Sequence, residues 1–391
     1  MKVPRWLPLL LGFLQAIGPI SIDMYLPAFP AIEAEFHAVQ GSAQLTLATW
    51  ILGLSFGQLA QGAMADRFGR RVPLVAGMAL YTIASAGCAL APSFAWLAIW
   101  RFVAALGGSA SMIVPRAVVR DVAEGHAAAR MMSRLILVLG AAPILAPSLG
   151  GLVLQFATWR GIFWITTGYG ALGLVLSASF LPDTLPPARR VRLHLASMLA
   201  RYGQILTERV FMTHTLMLSA SSFALFAYLA GSPTVFIEHF GLSPGHYAVL
   251  FGMVAATYVL FSQLNVLVTR RLGLDGTLRV ATSVYLTLGA ILLALAMSRR
   301  GGPLTMAAVL ALMQGQSGFI APTGMVGALH RHAAHAGSAS ALMGTLQFLI
   351  GCSAGFLTAW LTDGTALPMA GLMAGGALCC KLADLCRPRA G

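Results

Sequence analysis

The sequence predicts an all-α membrane protein, with twelve transmembrane helices in two pseudo-symmetric six-helix bundles and both termini cytoplasmic. Three observations carry that prediction. Of 391 residues, 58% are hydrophobic and only 9% charged, with a mean hydropathy of +0.80, whereas an ordinary soluble domain carries about 25% charged residues. Apolar runs recur along the chain near the ~20 residues that cross a bilayer as a helix. Lysine and arginine collect in alternate connections, as they do on the cytoplasmic side of membrane proteins. The composition excludes a soluble enzyme, a nucleic-acid-binding domain and a disordered chain. The formal net charge of +13 would point to nucleic acid in a soluble protein. Here the cations sit between apolar segments and set topology, so the expected surroundings are a lipid bilayer and no nucleic acid.

The first apolar run, about 6–29, follows Lys2 and Arg5. A basic start before an apolar stretch has the outline of a cleaved leader. Pro19, Asp23, Pro27 and Pro30 interrupt it and no convincing cleavage site follows, so a retained first helix is expected. Further runs cover about 43–64, 72–91, 94–118, 133–154 and 161–181. Six more cover about 211–235, 246–268, 279–297, 303–329, 338–361 and 367–386. The longest hydrophilic stretch separates the two sets, giving an N-terminal bundle at 1–181, a cytoplasmic linker at 182–210 and a C-terminal bundle at 211–391.

With the N-terminus inside, the outer connections hold only Arg160, Arg299 and Arg300, and Arg101 lies within a helix. Every other basic residue falls inside, including Lys2, Arg5, Arg116, Arg120, Arg189, Arg192, Arg201 and Arg389. The halves echo one another. A basic turn, Asp66-Arg67-Phe68-Gly69-Arg70-Arg71, follows the second run, and Thr269-Arg270-Arg271-Leu272-Gly273 follows the eighth. A duplicated bundle with its site between the halves near mid-membrane suits alternating access. The five cysteines, Cys88, Cys352, Cys379, Cys380 and Cys386, lie in or at the edge of apolar runs without metal-ligand spacing. They read as small packing residues, and no metal is expected.

Charge within the membrane is the rarest feature. Asp23 is the acid lying well inside an apolar run, and Arg101 is the comparable base. Ionisable groups at such depth are costly and mark ion or substrate paths. A carboxyl taken out of water favours its protonated form, so Asp23 is the candidate for loading and releasing a proton as its exposure changes. A static Asp23–Arg101 pair that only ties helices together is the structural alternative. Pro19, Pro27 and Pro30 loosen the first helix and free backbone carbonyls near the acid. Gln15 and Tyr25 add polar atoms and are candidates for the substrate cavity. The fifth run holds Pro143, Pro147, Gly150 and Gly151, a pattern that kinks a helix and admits a close neighbour. Gly53/Gly57, Gly351/Gly355 and Gly371/Gly375 fit ordinary small-residue packing.

Enzyme signatures are weak. Gly315-Gln316-Ser317-Gly318 has the outline of an intramembrane serine protease, but that chemistry needs a histidine base within reach of the serine. His330, His332 and His335 lie at the cytoplasmic edge, and the next two runs contain none. No phosphate-binding loop or HExxH motif is present. The chain is expected to be no enzyme, to need no cofactor and to draw energy from an ion gradient or the substrate's own gradient.

Several segments together resemble the major facilitator superfamily, and within it the bacterial Bcr/CflA drug-resistance group. They are Ile20-Ser-Ile-Asp23-Met-Tyr25-Leu-Pro27-Ala-Phe-Pro30, Gln44-Leu-Thr46, Gly62-x-x-x-Asp66-Arg67-x-Gly69-Arg70-Arg71 and Arg101-Phe102 through Pro115-Arg116 to Asp121. Pro143–Gly151, Thr158-Trp159-Arg160, Leu181-Pro182-Asp183-Thr184-Leu185, Gly318–Pro322 and Gly337–Ala341 extend the match over nearly the whole chain. The resemblance implies export of drugs from the cytoplasm in exchange for protons. It makes Asp23 the protonatable acid, Arg101 its partner, Gly62, Asp66, Arg67, Gly69 and Arg70 the cytoplasmic loop motif, and Pro143, Pro147, Gly150 and Gly151 the antiporter hinge. Ala104 stands where the group commonly has glutamine, and Ala146 where the wider superfamily often has glycine.

The expected function is thus proton-coupled multidrug efflux, with drug-like small molecules of the chloramphenicol or bicyclomycin kind as substrates. The expected setting is a monomer in a bacterial inner membrane. The alternative is a same-fold exporter of a metabolite such as an amino acid or sugar. A membrane sensor or scaffold would explain the helices but not the buried acid.

Overall fold

Leu7 begins a span that ends at Glu35 and is not one helix. In this computed structural model it runs as α1 (Leu7–Gln15), α2 (Ile17–Asp23), a 3-10 turn at Leu26–Ala28 and α3 (Phe29–Glu35). Proline has no amide hydrogen and fixes its own φ, so the sequence around Pro27 and Pro30 cannot hold one uninterrupted helix. The breaks at Ala16 and Met24–Tyr25 flank Asp23. The described residues are 4, 6–123, 125–186, 190, 202–298 and 301–388, and they hold helices and turns but no strand. Of the residues used for topology, Lys2, Arg5, Arg189, Arg192, Arg201, Arg299, Arg300 and Arg389 lie outside them, as do 187–189 and 191–201 of the linker.

The following helices are α4 (Ala43–Phe68), α5 (Arg71–Ala89), α6 (Phe94–Val122), α7 (Gly125–Phe156) and α8 (Trp159–Phe180). Then come α9 (Arg209–Pro233), continued by a π-helical turn at Thr234–His239, and α10 (Pro244–Ser298). The last are α11 (Pro303–Leu329), a 3-10 stretch at His330–His335, α12 (Ala336–Leu361) and α13 (Leu367–Leu385). Among the described residues, eight helices are long and apolar enough to cross a membrane. The 55 residues of α10 would reach about 80 Å as one rod, far beyond a ~30 Å hydrocarbon core. Gly273, at φ 70° and ψ 174°, divides them into two helices.

Three expectations change. The helix of Arg101 does not stop near 118 but runs to Val122, carried past Pro115 by the buried Ala117, Val118 and Val119. Arg116 and Arg120 are therefore helical residues, not residues of a connection. The second basic turn is helical through Leu272 and breaks only at Gly273. Cys379 and Cys386 are exposed, so packing accounts only for the buried Cys88, Cys352 and Cys380.

The chain divides into two units, Met1–Ala28 with Thr49–Leu195, and Phe29–Ala48 with Ala196–Gly391. In the first, α5 packs against α6 and α8, and α1 and α2 lie against α6, α7 and α8. Gly53 and Gly57 let α4 meet α6, since a Cβ at either would fall within 2.4 Å of Phe102 O or Ser109 Oγ. In the second, α9 packs on α11, α12 and α13, and α10 on α11 and α13. Gly351 and Gly355 sit tightly against Phe226 and Ala48, whereas a Cβ added at Gly371 or Gly375 would meet nothing within 4 Å.

Candidate functional site

Arg101 on α6 is 2% exposed and is held mainly by rings. Its Cζ lies 4.1 Å from the Tyr25 ring centre, 4.4 Å from that of Trp50 and 5.8 Å from that of Phe163. Nη1 donates to Ser21 O at 2.9 Å, while Nε and Nη2 find no hydrogen-bond partner among the described residues. Guanidinium is planar and weakly hydrated, so aromatic faces can take the place of water around it. The three rings come from the break just after α2, from α4 and from α8, and Arg101 ties these segments together.

Asp23 is the last residue of α2 and is 5% exposed. No ion pair within 4.0 Å joins it to Arg101, and its carboxylate has no hydrogen-bond partner among the described residues. The static pair considered from the sequence is therefore absent. Among the described residues two other acids are comparably buried, and both have partners. Glu33 accepts from Ala43 N at 2.8 Å. Asp384 meets Lys381 Nζ and Thr282 Oγ1 at 2.9 Å and Arg387 Nη2 at 3.0 Å.

The helix-five motif reaches the same place. Pro143 and Pro147 lie inside a continuous α7, with Pro147, Gly150 and Gly151 buried. A Cβ on Gly150 would lie 1.8 Å from Met24 O, so only glycine permits α7 to touch the backbone beside Asp23. Ser21 Oγ and Tyr81 OH, 2.6 Å apart, fasten α2 to α5 on the other side.

Gln15 and Tyr25 are both buried, at 0% and 1% exposure. Tyr25 lies under Arg101. With its amide oriented by hydrogen bonding, Gln15 accepts through Oε1 from Arg116 Nε at 2.9 Å and Nη2 at 3.2 Å. The sequence reading counted Arg116 only as a cytoplasmic cation that sets topology; the apolar Ala117–Val119 after it were the signal that the helix continues.

The loop motif forms a separate network at the end of α4. Gly69 has φ +89° and faces Asp183, whose Oδ1 accepts from Arg70 N at 2.8 Å. Arg70 Nη1 donates to Asp66 Oδ1 and Nε to Asp121 Oδ2, each at 2.7 Å. Burial alone would lower the pKa of this guanidinium, but the hydrogen bonds from Asp121 and Asp66 outweigh it and hold the pKa above the ordinary value. Arg67 is exposed and lies over the Phe68 ring, and Gly62 has open space around it. Asp121 and Asp183 were not given roles from sequence. In the second unit Ser317 lies 3.1 Å from Ser221 Oγ, a hydroxyl pair and not a nucleophile with its base.

Comparison with known proteins places these features in a family. The model of the Major Facilitator Superfamily matches residues 11–356. The uncharacterized MFS-type transporter YdgK of Bacillus subtilis is 33% identical over 375 residues, covering 94% of this chain and 91% of its own. A bicyclomycin resistance protein homolog of Haemophilus influenzae is 28% identical over 361 residues, covering 92% and 90%. The crystal structure of a mutant of the nucleoside transporter NupG superposes with a TM-score of 0.78 at 12% identity, covering 98% of this chain and all of that one. At that identity the likeness speaks for the fold alone.

Proposed function

Since the chain belongs to the major facilitator superfamily, and is therefore a multi-pass membrane transporter and not an enzyme, we propose that it is a drug:proton antiporter. It exports drug-like molecules from the cytoplasm by alternating access, with bicyclomycin- and chloramphenicol-type compounds among its substrates. The name carried by the Haemophilus influenzae relative supports the substrate class. In this reading the chain crosses a bacterial inner membrane twelve times as a monomer, with both termini cytoplasmic. Halves at 1–181 and 211–391 are joined by the linker at 182–210, and the proton gradient, not a cofactor, supplies the energy.

The observation that carries the reading is Asp23. It is a buried carboxyl in a membrane-spanning segment, without an ion-pair or hydrogen-bond partner among the described residues, on a stretch broken on both sides. Arg101 is fixed among rings, and this reading gives the proton to Asp23. Open to the outside, Asp23 takes up a proton; open to the inside, it releases that proton as substrate binds. Coupling requires the proton and the drug to bind the two states unequally. The Gly150 contact at Met24 gives α7 a direct mechanical connection to the acid.

Drug susceptibility tests this. Cells expressing the wild type should tolerate more bicyclomycin or chloramphenicol than control cells, and an uncoupler of the proton gradient should erase the difference. Asp23→Asn at equal membrane abundance should behave as the control. Full resistance from Asp23→Asn would remove the acid from the mechanism, and no resistance to any drug tried would move the substrate to metabolites.

A further inference from the structure

Arg116 lies six residues before the end of α6, about 9 Å inside the helix terminus. The face of α6 that carries it fronts the first span. Arg101 meets Ser21, Gly108 approaches Ile17, Met112 approaches Gly18, and Arg116 meets Gln15. The guanidinium therefore points toward a side chain that is itself fully buried, and not outward to lipid. Arg116 is nevertheless exposed.

Three arginines of this unit can be compared by what neutralises them. Arg70 has two carboxylates. Arg101 has three rings and a carbonyl. Arg116 has a neutral amide, and among the described residues no carboxylate lies within ion-pair distance of it. Of the five N–H donors on a guanidinium, Gln15 engages two and leaves three on an accessible cation. An amide orients the fork without cancelling its charge. An unneutralised cation within a membrane-spanning helix is expensive unless water or an anion meets it, and a planar fork with free donors matches a carboxylate.

We propose that Arg116, positioned by Gln15, is a substrate-binding residue that takes an anionic oxygen group, so that the compounds handled include drugs bearing a carboxylate. The proposal rests on the efflux reading for its setting and concerns the substrate class alone. A phospholipid headgroup offers the same chemistry, and the test separates the two sources.

The experiment measures ligand affinity for the purified full-length protein in an uncharged detergent, using pairs that differ only in charge. Benzylpenicillin against its methyl ester and salicylate against salicylamide are the probes. The wild type should bind the acid of a pair about tenfold or more tightly than its neutral mate, as charge-assisted hydrogen bonds predict. Arg116→Gln should bring that ratio to about one while changing the affinity for the neutral mate less than about twofold. Arg116→Lys, which keeps the charge but loses the fork, should fall between, and it decides the matter if Arg116→Gln does not fold. Arg120→Gln, one turn further along α6, should leave the ratio intact. Equal binding of acid and neutral mate by the wild type overturns the proposal, as does an acid preference that survives in the Arg116 variants. Stabilisation by added phosphatidylglycerol that needs Arg116, without any acid preference, also overturns it and makes the residue a lipid anchor. Acid preference without drug-driven proton movement would leave the anion site standing and count against the antiport reading instead.

Discussion

Arg101 and Arg70 are almost equally buried, at 2% and 3% exposure, and their surroundings are opposite. Arg70, at the loop end of α4, is locked by Asp66 and Asp121. Arg101, within the membrane-spanning part of α6, has no carboxylate partner among the described residues and is boxed by Tyr25, Trp50 and Phe163. The difference teaches what each place needs. At the loop end of α4, two carboxylates hold the Arg70 fork in one geometry. A proton site cannot spend its carboxylate on a permanent ion pair, because a cation in contact favours the charged form. In the proposed mechanism, the rings around Arg101 spare Asp23 from a permanent ion pair.

The comparison breaks most visibly at Arg101. Arg101→Ala leaves three rings around an empty site and severs the ties to Ser21, α4 and α8. The loss should be about 3 kcal/mol or more, given ~2 kcal/mol for a desolvated cation–π contact, and should appear as a large drop in melting temperature in detergent. Arg101→Lys keeps the charge but not the planar stack, and should lie between Ala and wild type.

Gly150→Ala comes next. Its Cβ would overlap Met24 O, an overpacking worth about 1–3 kcal/mol. Because Met24 adjoins Asp23, resistance should fall by more than the thermal shift alone explains, whereas a pure packing residue would lose both in proportion. In the Arg70 network, Asp121→Asn should cost about 1–2 kcal/mol and Asp66→Asn under about 1 kcal/mol. Their side chains are 14% and 50% exposed, and solvent screens the second pair more. Equal losses would mean that Arg70 does not depend on the better-buried acid. The smallest effect belongs to Gly62→Ala, whose new methyl meets nothing within 4 Å; its melting temperature should match wild type, and any loss of resistance would then reflect movement, not packing.

What could be read in advance follows the range of the interactions. The breaks around Asp23 were legible because proline acts on its own neighbours. Small residues at Gly53, Gly57 and Gly150 announced close contacts, but not with which atoms. The cage was not legible, since Tyr25, Trp50 and Phe163 come from three distant segments and nothing local distinguishes them from lipid-facing aromatics. Arg116 was misplaced for a related reason. The basic residues Arg116 and Arg120 read locally as part of a connection, while the burial of Ala117, Val118 and Val119 carries α6 on to Val122. Asp183 lay in plain view in Leu181-Pro182-Asp183, but only the fold carries it to Gly69 and Arg70.

The most direct test of Asp23 is the proton balance on substrate binding. Purified wild type and Asp23→Asn, in detergent and nearly unbuffered, are given bicyclomycin or chloramphenicol while pH is recorded and thermal shift reports binding. Proton release from wild type, with binding but no release from Asp23→Asn, is the predicted result. Equal release from both proteins, or binding to wild type without any release, would contradict a proton site at Asp23.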